Sequence, residues 1–112
     1  MKLSYEGIGA WSATFTGETV QEGQVVKVSG SGAAAPCDSG EAFCGVALTV
    51  RGGVCAVQLG GLAEVKYSGD APAVGFAALS ADGQGGVAAD EGGSTYLVAA
   101  VDETAGTCTI RL

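Results

Sequence analysis

Short segments of alternating apolar and polar residues, separated by glycine-containing turns, recur at close intervals along this chain. Of its 112 residues, twenty are Gly and only two are Pro. Glycine adopts positive φ without steric cost, so turns rich in it suit tight connections between strands. The pattern predicts an all-β fold, either a small antiparallel β-barrel or a sandwich built from short hairpins.

Eight segments have the length and composition of strands. In the first, Val26 and Val28 lie on one face and Val25 and Lys27 on the other. The stretch over residues 30–40, rich in Gly, Ser and Ala, is predicted to be a loop. The predicted strands are residues 24–29, 45–50, 54–59, 62–67, 76–80, 86–89, 96–101 and 107–112.

The chain length suits a single domain with one core. We therefore expect residues 18–112 to form one β-barrel-like domain. Residues 1–17 lack a clean alternation along their whole length, and we expect them to be an N-terminal arm or an edge strand.

An internal repeat supports a fold made of hairpins. Residues 44–59 align with residues 97–112 without a gap, and each copy is predicted to form one hairpin. The alignment matches four identical pairs, which are Ala47 with Ala100, Gly53 with Gly106, Cys55 with Cys108 and Leu59 with Leu112.

Apolar residues near the amino terminus are candidates for binding a partner. Tyr5, Ile8, Trp11 and Phe15 lie three or four residues apart in a stretch that also contains glycines. Trp and Tyr are frequent anchors of protein interfaces, so we expect Tyr5 and Trp11 to contact a partner. For Phe15, which lies beside the alternating residues 13–16, we instead expect an additional strand that closes one end of the barrel.

The charge pattern argues against nucleic-acid and membrane partners. The net charge is −7, and the five cations are scattered singly, so no basic stripe could neutralise phosphates or anionic lipids. After its first two residues the chain lacks the apolar segment of a secretory signal, and we expect a cytosolic origin.

Catalytic and metal-binding signatures are missing. The chain contains no His, which is the usual base for activating Ser or Cys and the commonest metal ligand. Carboxylates that could act as a pair are interpreted as solvated turn residues. They are Asp82, Asp90, Glu91, Asp102 and Glu103. We expect no enzyme activity, no catalytic residues, no cofactor and no metal.

The four cysteines fall into two pairs by their surroundings. Cys55 and Cys108 lie on the apolar side of alternating strands and are predicted to be small core residues. Cys37 and Cys44 flank a loop, and the sequence leaves open whether they form a disulfide.

Five segments together resemble a family of small phage and prophage proteins known as capsid cement or head decoration proteins. They are residues 20–26, 43–48, 53–57, 96–101 and 106–112. The resemblance implies a β-barrel-like domain that binds the outside of an assembled shell. Its partner would be the major capsid protein, and it would act as a homo-oligomer, with a trimer favoured. Its location would be the virion, and the host cytoplasm during assembly.

Two other functions compete with this one. A carbohydrate-binding or adhesin module would use exposed aromatic side chains as a platform. A lipoyl or biotinyl carrier is suggested by residues 21–26, which resemble a strand of such domains. The carrier needs a Lys at a hairpin tip, whereas Lys27 and Lys66 lie within predicted strands.

Overall fold

The described residues form an all-β structure, as the sequence predicted. The computed structural model describes residues 10–17 and 19–112. These contain ten strands and no helix. The strands are β1 (Trp11–Thr16), β2 (Val25–Gly30), β3 (Ala33–Pro36), β4 (Gly45–Arg51), β5 (Val54–Gly60), β6 (Leu62–Ser68), β7 (Gly75–Ala81), β8 (Val87–Ala89), β9 (Ser94–Asp102) and β10 (Thr107–Arg111).

The strands close into two five-stranded sheets that share one topology. Barrel 1 has the order β1-β3-β2-β4-β5, and barrel 2 has the order β10-β6-β8-β7-β9. Counted along the chain, the first strand of each barrel (β1 or β6) pairs in parallel with the third (β3 or β8). The same first strand pairs antiparallel with the fifth (β5 or β10). The fold is therefore a tandem repeat of one unit, extending beyond the hairpin repeat visible in the sequence. The boundary expected after residue 17 falls between β1 and β2 of barrel 1.

Equivalent positions build the interiors of the two barrels. Phe15 faces Cys55 in barrel 1, as Val65 faces Cys108 in barrel 2. Five further pairs of equivalent residues are buried in the two cores: Val26 and Leu79, Ala34 and Val87, Ala47 and Val98, Cys55 and Cys108, and Val57 and Ile110.

The hairpin repeat needs one correction of register. Ala47 faces Val57 in barrel 1, and it is Val98, not Ala100, that faces Ile110 in barrel 2. The turn between β4 and β5 has two residues, whereas the turn between β9 and β10 spans residues 103–106. The longer turn shifts β9 by two positions relative to the gapless alignment.

The loop predicted over residues 30–40 is wrong in part, because it contains β3. Ala33–Pro36 pair with β2 on one side and with β1 on the other. The β-propensity of this segment is weak, so its strand conformation depends on neighbours that are distant in sequence. Pro36 has no N–H to donate, and its partner Val26 does not require one. The Val26 carbonyl oxygen points to the other side of β2, where it accepts from the Cys44 N–H.

Barrel 1 contributes to the core of barrel 2. Val25, Cys37, Phe43 and Val46 join the cluster that fills barrel 2, while Val26 points into barrel 1. This is why Val25 and Val26 are both fully buried although they are consecutive in one strand. Instead of the one core expected from chain length, two apolar clusters lie side by side.

Candidate functional site

Trp11 lies on the outside of barrel 1 at the start of β1. It pairs with Gly60 on β5, and a Cβ atom at Gly60 would overlap the indole ring. Glycine here allows the ring to lie against the β5 backbone. The Trp11 side chain is 60% exposed, so one face of the ring remains available to a partner.

Of the other residues of the predicted amino-terminal site, the structure describes only Phe15, which does not share the exposed outer surface of Trp11. Phe15 is half-buried and packs against the core of barrel 1. Its strand, β1, is paired on both sides and closes the barrel. Tyr5 and Ile8 lie outside the described residues.

An apolar surface on barrel 2 was not identified from the sequence. Phe76 is 70% exposed and Val74, two residues earlier, is 69% exposed. Phe76 faces Leu97 on β9, and Leu97 faces Arg111 on β10. Residues that face each other across a sheet share one side of it, so these side chains form a row on the outside of the barrel. We call Phe76, Leu97 and Arg111 the outer patch.

The signal for the outer patch was present in the alternation of β7. Leu79 and Ala81 are buried, and side chains alternate between the two faces of a strand. An inward Leu79 therefore places Phe76 on the outer face. The sequence placed Phe76 within a strand without specifying which face it occupies.

A groove of about 350 Å³ opens where β4 and β5 meet β6. This volume is near the lower end for small-ligand pockets, and the lining is mostly apolar. The one amide in the lining, Gln58, is already used. Its Nε2 donates to the carbonyl oxygens of Gly60 and Leu62 at 3.0 and 2.9 Å. Gln58 thus holds the turn that connects the two barrels.

Three of the turn carboxylates accept hydrogen bonds from the backbone near them. Asp82 accepts from the N–H groups of Gln84 and Gly86, and Asp102 accepts from those of Thr104 and Ala105. Asp90 accepts from the Gly92 N–H at 2.9 Å. Each carboxylate stabilises its own turn, which is a common role of Asp in such positions.

A segment of barrel 1, residues 37–44, contacts barrel 2 and is fixed by an ion pair. Lys27 Nζ donates to both carboxylate oxygens of Glu41 at 2.8 and 2.9 Å, and the Asp38 N–H donates to the same carboxylate at 2.6 Å. The hydrogen bond from Lys27 lowers the pKa of Glu41, and the bond to Glu41 raises the pKa of Lys27.

All four cysteines are free thiols. Cys55 and Cys108 are buried in the two cores, as predicted, and Cys37 is also buried. Burial raises the pKa of Cys37 and of Cys108 to about 11. Cys44 is half-buried, and burial raises its pKa as well.

Within residues 10–17 and 19–112, no group of three or more acidic or thiol side chains is arranged to hold a metal ion. In the same part of the chain, no helix has the length and apolarity to cross a membrane. Comparison with models of known protein families and with characterised proteins found no match.

Proposed function

We propose that this protein is a non-enzymatic structural protein that binds and stabilises the exterior of a bacteriophage capsid. In this proposal the partner is the major capsid protein. The protein is present on the virion, and in the host cytoplasm while heads assemble. The support from sequence is the resemblance to capsid cement proteins.

The observation that carries the proposal is the outer patch. Phe76 and Val74, two residues apart in the chain, are the most exposed large apolar residues of the described chain, and Phe76 lies in the outer patch. Exposing them to water is unfavourable, so covering them with a partner surface releases free energy. Arg111 lies in the same row, and aromatic residues and Arg are the types most enriched among interface anchors.

Trp11 supplies a second proposed contact on barrel 1. The two barrels thus each present one exposed aromatic side chain, Trp11 and Phe76. Two weak contacts made by one rigid molecule reinforce each other, because the second forms at high effective concentration once the first is made. Assembly as a homo-oligomer, with a trimer favoured, would increase this effect further.

The proposal is tested by sedimentation of the purified protein with heads assembled from the major capsid protein of the same phage genome. We expect the wild-type chain to sediment with heads and to saturate at a fixed ratio of copies. Phe76→Ser should weaken binding about tenfold or more, because the large aromatic side chain is lost from a contact that excludes water. Trp11→Ala should weaken it to a smaller extent.

Val54→Ser is the matched control, since Val54 is an exposed apolar residue outside the outer patch. It should bind as the wild type does. Failure of the wild-type chain to bind heads would refute the proposal, as would wild-type binding by both the Phe76 and Trp11 variants. A saturable signal on a glycan array, lost in Trp11→Ala, would support the competing carbohydrate-binding function.

A further inference from the structure

A β-bulge in β4 places a leucine at the groove where β4 and β5 meet β6. The register of β4 against β5 shifts between Ala47 and Thr49, so Leu48 has no partner in the ladder. The Leu48 side chain is 43% exposed and lines the groove from barrel 1. Leu62, which is half-buried, lines it from barrel 2. The groove therefore offers an apolar contact to which both barrels contribute.

The fold itself does not need a large side chain at this bulge. The register of β9 against β10 shifts in the same way between Val98 and Ala100, and the residue left out there is Ala99. Because Val98 is the equivalent of Ala47, Ala99 occupies the place that Leu48 has in barrel 1. The same bulge thus forms around a single methyl group. A leucine that is exposed beside an apolar groove is better explained by a contact with another segment.

The chain that precedes β1 joins it at the wall of this groove. Ala10, the residue with which the described structure begins, lines the groove. It lies so close to Gly61 that a Cβ atom on this glycine would be 2.7 Å from the Ala10 Cα atom. Trp11 lies equally close over Gly60, the preceding residue of the same turn. These two contacts fix the point from which residues 1–9 must be reached.

We propose that Ile8 docks into this groove of its own chain, against Leu48 and Leu62. Two residues of extended chain span about 7 Å, so Ile8 is within reach of the groove from Ala10. A glycine lies on either side of Ile8 in the sequence, and residues without a Cβ atom allow close approach of the backbone. The covalent link through Ala10 gives Ile8 a high effective concentration at the groove, which a second copy of the chain lacks. The proposal does not depend on capsid binding or on the outer patch.

Methyl NMR of the full-length protein tests this contact, because the sequence contains only two isoleucines, Ile8 and Ile110. Ile110 is fully buried in barrel 2, so its methyl signal reports whether the core is folded. With isoleucine and leucine methyl groups labelled, we expect nuclear Overhauser effects from Ile8 to Leu48 and Leu62. In a mixture of isoleucine-labelled and leucine-labelled chains, no such effect should connect the two kinds of molecule.

Leu48→Ala introduces the side chain that Ala99 has in barrel 2, so the bulge should be retained. It should abolish the effect between Ile8 and Leu62 and move the Ile8 methyl signal to the position of an unstructured peptide. Val54→Ala is the matched control, because Val54 is 42% exposed on β5 and does not line the groove. It should leave the Ile8 signal unchanged, and the Ile110 signal should stay in place in both variants.

The measurement on the wild-type chain needs no substitution and decides the proposal by itself. The proposal is overturned if the Ile8 methyl group shows no effect to Leu48 or Leu62, or if the effect connects differently labelled chains. It is also overturned if Leu48→Ala folds and leaves the Ile8 signal where it is in the wild type.

Discussion

The aromatic rings of Phe43 and Tyr96 stack across the junction of the two barrels, with centroids 4.7 Å apart and an angle of 8° between the ring planes. Tyr96 Oη also donates to the Phe43 carbonyl oxygen at 3.2 Å. Phe43 belongs to barrel 1 and Tyr96 to barrel 2, so this pair connects the two repeats through both side chain and backbone. It makes the junction a part of the core.

The Phe43–Tyr96 contact predicts that the two barrels unfold together. Phe43→Ala leaves a cavity in the cluster shared by both barrels and should lower the free energy of unfolding by about 3–5 kcal/mol. Tyr96→Phe keeps the stack, removes one hydrogen bond and should cost only about 1 kcal/mol. Calorimetry measures both, and the wild-type calorimetric and van't Hoff enthalpies should agree. Two separate transitions in the wild type would show that the barrels are independent.

A second prediction concerns hydrogen exchange at Val28 and Ala81, which occupy equivalent positions in β2 and β7 because they face the equivalent residues Ala34 and Val87. The Ala81 amide donates to the Glu41 carbonyl oxygen and should exchange only on large-scale opening. The pairing of β2 with β4 ends at Val26, so the Val28 amide, which faces that side of β2, should exchange close to the rate of an unstructured peptide. Native-state exchange followed by NMR compares the two directly. Similar protection at both residues would mean that the β2 edge is already covered.

Removal of the ion pair between Lys27 and Glu41 should give a pH-dependent loss of stability. The pKa of Glu41 is lowered in the folded state, so its contribution is present above the ordinary glutamate pKa and disappears as pH falls through the lowered value. The pKa of Lys27 is raised, so its contribution is lost only as pH rises through that higher value.

Glu41→Gln should therefore be less stable than wild type at neutral pH and indistinguishable from it in acid. Urea unfolding across the pH range measures this difference. Glu64→Gln, at an exposed position on the outside of β6, is the control and should show no such dependence. A stability difference that persists unchanged below the glutamate range would exclude the ion pair as its cause.

Much of the fold was predictable from the sequence because its strands are bounded by turn glycines. Gly53 and Gly106 both have positive φ and end equivalent hairpin turns, which is why the hairpin repeat was visible. Gly32 and Gly85, also 53 residues apart and also at positive φ, extend the same repeat and could have revealed the second barrel. Strand β3 was not predictable, since Ala33–Pro36 have weak intrinsic preference and depend on β1 and β2.

The candidate sites were harder to predict, because exposure depends on how strands are arranged and not on their local pattern. Val25 and Lys27 share one face of β2, yet only Val25 is fully buried, because barrel 2 packs over that position. Val28 should have been buried by its alternation with Val26, but the sheet ends before it reaches that residue. Both outcomes depend on the contact between barrels, which no short segment encodes.

Thiol labelling should proceed in a fixed order. Cys44 is half-buried and should react first with a maleimide in the native state. Cys37 is buried, and its pKa of about 11 keeps the thiolate scarce, so it should react more slowly. Cys55 and Cys108, in the two cores, should react only on unfolding. Mass spectrometry of time points gives the order, and equal rates at all four residues would contradict the assigned cores.

Electron cryomicroscopy of heads decorated with the wild-type protein tests capsid binding most directly. We expect density for two joined barrels at regular positions on the outer surface of the shell. The face formed by β7, β9 and β10, which carries Phe76, should lie against the major capsid protein. Heads without added density, or density in which this face points into solvent, would contradict the proposed function.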